Sequence, residues 1–588
     1  MAILRGVKYI NQTLFFWKKT LILGLVIFIC GWHQVSAQTF LKYEVEGIKN
    51  GSGMKSFPDS LSREIFLKEL IISFQLEGYP TAFVKGKTFY GDTLNVEVQA
   101  GEMYRWVVLK KGNLDDRVAR QVGFQENGFQ HRPFNFRQLK RLFDKILEET
   151  QNNGYPFASI RLDSIASRQN GISAALNFDY GPYITFDTVQ ITGNSKTSPI
   201  YLNRLLKMVP GTLFSQKKVD QSLRRLKNLS FVQVVSEPQL SFQNSEAIFY
   251  LPINDRRVNT LDGIIGILPN ETEENKLLIT GQFDLALYNV GGRGRNYKID
   301  WQRLSQYSQN LNVTAEEPML MGSSIDLKVS FYLLKEDTTF LNRDFKIDLG
   351  YRTSPTTYIG FFSRRQAGDL LAVSQWADAM ELPDLADFRF NNYGINLRFN
   401  TLDDAFWPRR GWLSGFEFGI GNKRLVHNTG LSASLYQDIE LTTLQYYLTL
   451  SIEKHFYFKP QVGGLIRMRA GEMANENLLV NDLYRLGGLK SIRGFNENFF
   501  FANRYVYVNF EPRYYFDDYS YMLWFTDIGG IQNKVGHGTI EWPFSFGGGL
   551  SLETNGGIFT FVYALGQSNT QLLGFDFSKI HFGYTGRF

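Results

Sequence analysis

The sequence predicts a membrane β-barrel of about sixteen antiparallel strands preceded by three small α+β domains of β-α-α-β-β order. Three observations predict it: a repeat within the first 255 residues, long apolar-polar alternation after residue 257, and a composition suited to strands. Aromatic residues make up 15% of the 588-residue chain and glycines number 53, as paired strands, tight turns and interfacial aromatic girdles require. Basic and acidic residues nearly balance, at 63 and 57, and no Lys/Arg block is long enough to form a nucleic-acid stripe. Mean hydropathy lies slightly below zero. That excludes a bundle of membrane helices but not a barrel, whose strands hide apolar content by alternation.

The first segment reads as an export signal. Lys18 and Lys19 precede an apolar run from Leu21 to Cys30, and Val35-Ser36-Ala37 supplies small residues before an expected cleavage after Ala37. The run is shorter than the roughly twenty residues that span a bilayer. Ile29 before Cys30 is bulky where a lipoprotein signal needs a small residue. Cys30, the only cysteine, is then removed, and disulfides, thiolate catalysis and thiolate zinc sites fall away with it.

The repeat begins with Glu77-Gly78-Tyr79-Pro80 and returns as Asn153-Gly154-Tyr155-Pro156, a spacing of 154 − 78 = 76 residues. A further 76 residues lead to Ser230-Phe231, within a run that alternates like a strand after a helix. The third unit is the clearest. Tyr183–Ile191 alternates with period two, Pro199–Met208 has helical spacing, Pro210-Gly211 breaks it, and Ser215 opens a second helix with Val219, Leu223 and Leu226 on one face. Phe231–Val235 and Ala247–Ile253 close the unit as strands. In the second unit Phe136, Leu139, Leu142, Phe143 and Ile146 share one helix face.

Beyond Arg257 the texture changes. Leu444, Tyr446, Leu448, Leu450 and Ile452 alternate with polar residues and Tyr447, and Val506, Val508 and Phe510 alternate with Tyr507, Asn509 and Glu511. Apolar-out, polar-in is the barrel pattern. Pro512 fits poorly in a central strand and predicts a bulge or strand end there. About 330 residues at about ten per strand plus connections accommodate sixteen strands. The expected division is a signal over 1–37, small domains over 38–101, 102–181 and 182–256, and the barrel over 257–588.

The small units resemble POTRA domains, the polypeptide-transport-associated modules of outer-membrane assembly factors. Four further stretches resemble the BamA/TamA superfamily. Asn289–Arg295 is similar to an early turn of that family, and Asp403–Gly411 to its strand-turn-strand signature. Ile492, Arg493, Gly494 and Phe495 resemble the family's invading-loop motif, and Phe525, Asp527 and Gly529 its luminal strand. An arginine followed by glycine and an aromatic on a long loop also suggests by itself a packed loop, since glycine permits a tight turn. The resemblance implies that Arg493 reaches down the lumen to Asp527 in a charge-assisted contact.

The final run places Ile580, Phe582 and Tyr584 on one face and continues to Phe588, resembling an outer-membrane sorting strand. Three units before a barrel place the resemblance nearest the TamA-like branch. It implies a bacterial outer-membrane protein with its small domains in the periplasm. Such a protein assists insertion or translocation of outer-membrane β-proteins by β-augmentation and a lateral gate. The gate would lie between the first strand, near Asn259 to Leu268, and the last, near Lys579 to Phe588, where Gly583 and Gly586 contribute no side-chain packing. Implied partners are unfolded outer-membrane clients, membrane lipids and periplasmic or lipoprotein accessory proteins. The alternatives left open are a two-partner secretion pore and, third, a surface-lipoprotein or passive-channel role.

Nothing in the sequence indicates an enzyme. There is no Gly-x-Ser-x-Gly, no His-Glu-x-x-His and no phosphate-binding glycine loop. His131, His427, His455, His537 and His581 are scattered rather than spaced as ligands, so no catalytic site, metal or cofactor is expected.

Overall fold

The computed structural model describes residues 39–48, 51–269, 277–303, 308–336, 338–376, 379–535, 538–554 and 556–588. The expected export signal and His537 lie outside them. The chain divides into two compact units, one ending at Tyr183 and one beginning at Ile184.

The first unit holds two α+β domains. In the N-terminal one a four-stranded sheet runs in the order Gly53–Phe57, Thr39–Glu46, Thr93–Gln99, Phe83–Tyr90. Its single long helix, Ser60–Leu76, is capped by Asp59, which accepts from the Ser62 amide at 2.6 Å. The expected β-α-α-β-β order is corrected here to β-β-α-β-β: Gly53–Phe57 is a strand, and one helix follows where two were expected. That short stretch extends the sheet beside Thr39–Glu46 by antiparallel pairing.

The second domain has the expected order. Arg105–Lys110 is followed by helices Asp116–Val122 and Phe136–Gln151, then by strands Ser159–Arg168 and Gly171–Asp179. Leu139, Leu142 and Ile146 are buried against Trp106, Leu109 and Leu176. Phe136, at the helix start, stays 47% exposed, so the packed face begins one turn later than its spacing suggests.

The repeated Gly-Tyr-Pro is a helix stop in both domains. Gly78 and Gly154 have φ of +112° and +95°, a region open to glycine at little cost. The following Tyr79 and Tyr155 amides each donate back into the helix at 3.1 Å, to Phe74 and Thr150 carbonyls.

In the second unit, a third α+β domain leads directly into the barrel. Its helices Pro199–Leu206 and Gln216–Lys227 pack Leu202, Leu206 and Leu226 on Phe186, Phe214 and Phe249. The single strand expected over Tyr183–Ile191 is corrected to two short ones, Thr185–Phe186 and Gln190–Ile191, both parallel to Glu246–Leu251. Gln239–Gln243 is an additional strand, antiparallel to the same central one.

From Thr260 to Arg587 antiparallel strands close into a barrel. Thr539–Glu541 and Phe544–Thr554 pair with one neighbour, Tyr521–Asn533, and form one strand interrupted at Trp542 and Pro543, so the described residues make sixteen strands. Alternation sets the faces: Val506, Val508 and Phe510 are exposed outward, while Tyr507, Asn509 and Glu511 are buried inward. Pro512 marks neither a bulge nor an end. It sits inside Arg504–Tyr515, where the ladder to Tyr521–Asn533 lapses at Glu511 and Pro512 and resumes in the same register. Proline has no N–H for that bond.

Candidate functional site

Three features converge inside and beneath the barrel: a loop folded into the lumen, a short seam, and turns that grip the third domain. The lumen loop leaves the wall after Val462–Ala474 and returns at Arg504. Its base is a small ladder, Tyr484–Leu486 against Phe500–Ala502. The Lys423 ammonium is fully buried against Asp482 and donates to the Asn477 carbonyl at 2.8 Å, pinning the loop to the wall.

Ile492 and Phe495 are wholly buried at the loop's tip, with Phe500, Tyr507 and Ile531. Between them Arg493 points at the wall. Its Nε and Nη2 donate to the two Asp527 carboxylate oxygens at 2.9 and 2.7 Å, and its backbone amide donates to the same group at 3.0 Å. Nη1 donates to Glu511 at 2.6 Å, and the guanidinium lies 3.8 Å from the Phe525 ring centroid. Asp527 is completely buried. A planar fork satisfies two carboxylates and a ring face at once, which a point-charged lysine cannot do.

Gly494 has φ +84°, and a Cβ there would come within 2.9 Å of the Gly566 amide. The loop backbone therefore lies against the strand Gly557–Gln567. Gly529 borders Ile492 across the same contact. All seven residues singled out in the loop motif and luminal strand thus meet at one place.

Sequence reading missed two partners. Glu511 shares Arg493 with Asp527 and is held by Arg513 at 2.8 Å; its inward face was legible from the alternation, its partner was not. Gln571, buried in the connection before the last strand, donates to the Gly494 carbonyl at 3.1 Å, and no pattern marks it.

The seam is short. The last strand, Lys579–Arg587, pairs with Gly557–Gln567 from Lys579 through Gly586. Against the first strand, Thr260–Pro269, it has two register pairs among the described residues, Thr260 with Arg587 and Leu261 with Gly586. The Phe588 amide adds a bond to the Asn259 carbonyl at 3.1 Å. Ile580, Phe582, Tyr584 and Phe588 are exposed. Gly583 has open space around its Cα, and a Cβ on Gly586 would meet the Leu261 carbonyl at 3.0 Å.

At the domain end, the turn at 289–295 docks on the third domain: Asn289 Nδ2 donates to Thr197 Oγ1 at 2.9 Å, and the Ser198 amide to the Gly292 carbonyl at 2.8 Å. In the turn at 403–411, Asp404 accepts from Arg256 at 2.8 Å. Trp407 stands between Arg256 and Arg587, with guanidinium carbons 5.1 and 4.1 Å from its ring.

Burial works to raise the Asp404 carboxyl, but the Trp407 and Phe406 amides and Arg256 outweigh it and hold the pKa below its ordinary 3.8. A carboxylate with a depressed pKa stabilises its fold above the ordinary value and loses that contribution as pH falls through the depressed one. Amide exchange at Phe406 and Trp407, relative to intrinsic rates, should therefore accelerate as pH drops below 3.8. Asp404→Asn should flatten that acid step, and an unchanged step in the variant would show that another group controls the turn.

Comparison with known proteins agrees with this arrangement. The Omp85 superfamily domain matches residues 289–588, and a POTRA model described as surface antigen variable number repeat matches residues 184–260. Outer membrane protein assembly factor BamA of Neisseria meningitidis serogroup B is 20% identical over 441 residues, covering 68% of this chain and 51% of that protein. The chain thus spans about half the length of that curated relative. Among solved structures, CdiB from Escherichia coli has a TM-score of 0.52 at 13% identity, covering 90% of this chain and 97% of that one. CdiB from Acinetobacter baumannii has a TM-score of 0.51 at 12% identity, covering 82% and 89%. These likenesses show a shared fold. The chain belongs to the Omp85 superfamily, as an outer-membrane β-barrel whose POTRA region lies in the periplasm.

Proposed function

We propose that the protein assists insertion of outer-membrane β-proteins by opening its seam and lending a sheet edge to client strands. The single observation that carries this reading is the two-pair join between first and last strands. A nascent strand in hydrocarbon must pair every N–H and C=O. The last strand keeps its other edge fully laddered while most of this edge has no such partner among the described residues. Parting two pairs and the Phe588–Asn259 bond exposes a template at small cost, and exposed edges recruit strands. Open strand edges in the periplasmic domains, such as Ser159–Arg168 at the margin of its sheet, suit β-augmentation of arriving clients. Clients, lipids and periplasmic or lipoprotein accessory proteins are the partners this implies, with no covalent chemistry.

The fold shared with CdiB keeps a polypeptide-transport pore as the alternative. A luminal path must displace the loop that Arg493 anchors, whereas insertion at the seam leaves it in place. Deleting residues 487–499 separates the two. An insertase reconstituted in vesicles should lose client folding as its conductance rises, because the loop braces the wall beside the seam. No client folding by the wild type in the same vesicles, with conductance that rises when the loop is removed, would reject the insertase reading in favour of the pore.

A further inference from the structure

The helical face of the third domain carries a charge that the barrel mechanism does not use. Between Pro199 and Asn228 there are seven lysines or arginines and one carboxylate, Asp220. Arg204, Lys207, Lys218 and Arg225 form no ion pair with a described carboxylate. Lys218 lies near Lys207 and Arg225, and burial together with those like charges holds its ammonium below the usual value. Such a cluster repels itself unless an anion joins it.

Its position names the anion. Phe345, Ile347, Leu349 and Tyr351 are exposed along the outward face of the strand Phe340–Arg352, and outward faces of such a barrel meet lipid. Tyr351 is the last of them, next to the short turn at 353–356 on the periplasmic side. Aromatic residues at strand ends mark the membrane interface. The Lys207 ammonium sits 6.0 Å from the Tyr351 ring centroid. The Arg204 guanidinium lies over Gly322, in the neighbouring turn, so close that a Cβ there would meet it at 2.8 Å. Arg204, Lys207, Arg225 and Arg352 line one cleft between the helix end and these turns, with Asp326 as the only carboxylate among the described lining residues. That carboxylate is already engaged by Arg352 at 2.8 Å.

Lys207 is also an unexpected residue for its backbone. It ends the helix at φ +60°, a position that ordinarily takes glycine. The turn that follows exposes Val209 and Leu213, and a basic surface mixed with apolar side chains suits a headgroup boundary.

We propose that this cleft binds the phosphate of an anionic phospholipid in the periplasmic leaflet, tethering the third domain to the bilayer beside the barrel rim. The site requires only that the barrel sit in a membrane, and stands or falls independently of seam opening. The test uses the full-length protein in phosphatidylcholine nanodiscs containing spin-labelled phosphatidylglycerol, reading the immobilised lipid fraction. The wild type should immobilise phosphatidylglycerol in preference to labelled phosphatidylcholine, and added salt should weaken the preference.

Lys207→Gly suits the backbone, so it keeps the fold. Combined with Arg204→Gln it should weaken retention by about thirtyfold, what two basic groups contribute at an anionic surface. Lys207→Arg should retain the lipid. Equal immobilisation of both lipids, undiminished retention by the double variant, or displacement by millimolar inorganic phosphate as readily as by unlabelled phosphatidylglycerol would each overturn the proposal. So would displacement by an acidic peptide at equal concentration, which would make the face a protein-docking surface.

Discussion

Arg493→Ala should destabilise the barrel by about 3–5 kcal/mol, the usual cost of removing one partner from a buried ion pair. Glu511 keeps Arg513, but Asp527, fully buried, loses both guanidinium bonds and is left with the amide of residue 493. Part of that cost can be relieved if the loop leaves the lumen and lets water reach Asp527. Two measurements follow: the midpoint of urea unfolding in detergent, and protease cleavage between residues 487 and 499, which should rise sharply. Asp527→Asn keeps the shape and drops the charge, so it should fall between wild type and Arg493→Ala. Arg493→Lys should resemble the alanine variant more than the wild type, because an ammonium cannot span Asp527 and Glu511 together. Wild-type cleavage rates in Arg493→Ala would show that the loop is held by Ile492 and Phe495 alone.

The second large effect concerns the seam. Leu261→Cys with Gly586→Cys places two thiols on directly paired residues. Antiparallel pairs have Cα separations of roughly 4.5–5.5 Å, within the range of about 4.4–6.8 Å that a disulfide tolerates. The natural Cys30 lies in the expected export signal, so no other thiol should compete. Oxidised protein in vesicles should fold clients more than about tenfold more slowly, a barrier increase of at least ~1.4 kcal/mol. Reduction should restore the rate, which makes the same molecule its own control. Full activity in the oxidised state would remove lateral opening from the mechanism, whatever the loop does.

Much of this architecture was legible because its signals are local. Barrel strands advertise themselves through a period of two, and Val506–Phe510 reads the same in sequence and in space. The Gly-Tyr-Pro repeat was visible because a left-handed glycine is a chemical requirement of the helix stop. What escaped notice depends on pairing partners. Gly53–Phe57 is five residues long beside glycine and serine, and nothing local distinguishes it from a loop until Thr39–Glu46 offers an edge. Gln239–Gln243 alternates correctly, but its shortness hid it. The Arg493 contact could be anticipated only from a family resemblance. Its second carboxylate, Glu511, stands eighteen residues away on another strand, and the brevity of the seam is a matter of register, which alternation leaves undetermined.

Trp407 belongs to neither end of the join, yet it touches both: Arg256, in the tether entering the barrel, and Arg587, at the tip of the closing strand. In the proposed mechanism this ring and the Phe588–Asn259 hydrogen bond together join the tether to the closing strand, so that moving one would be felt by the other.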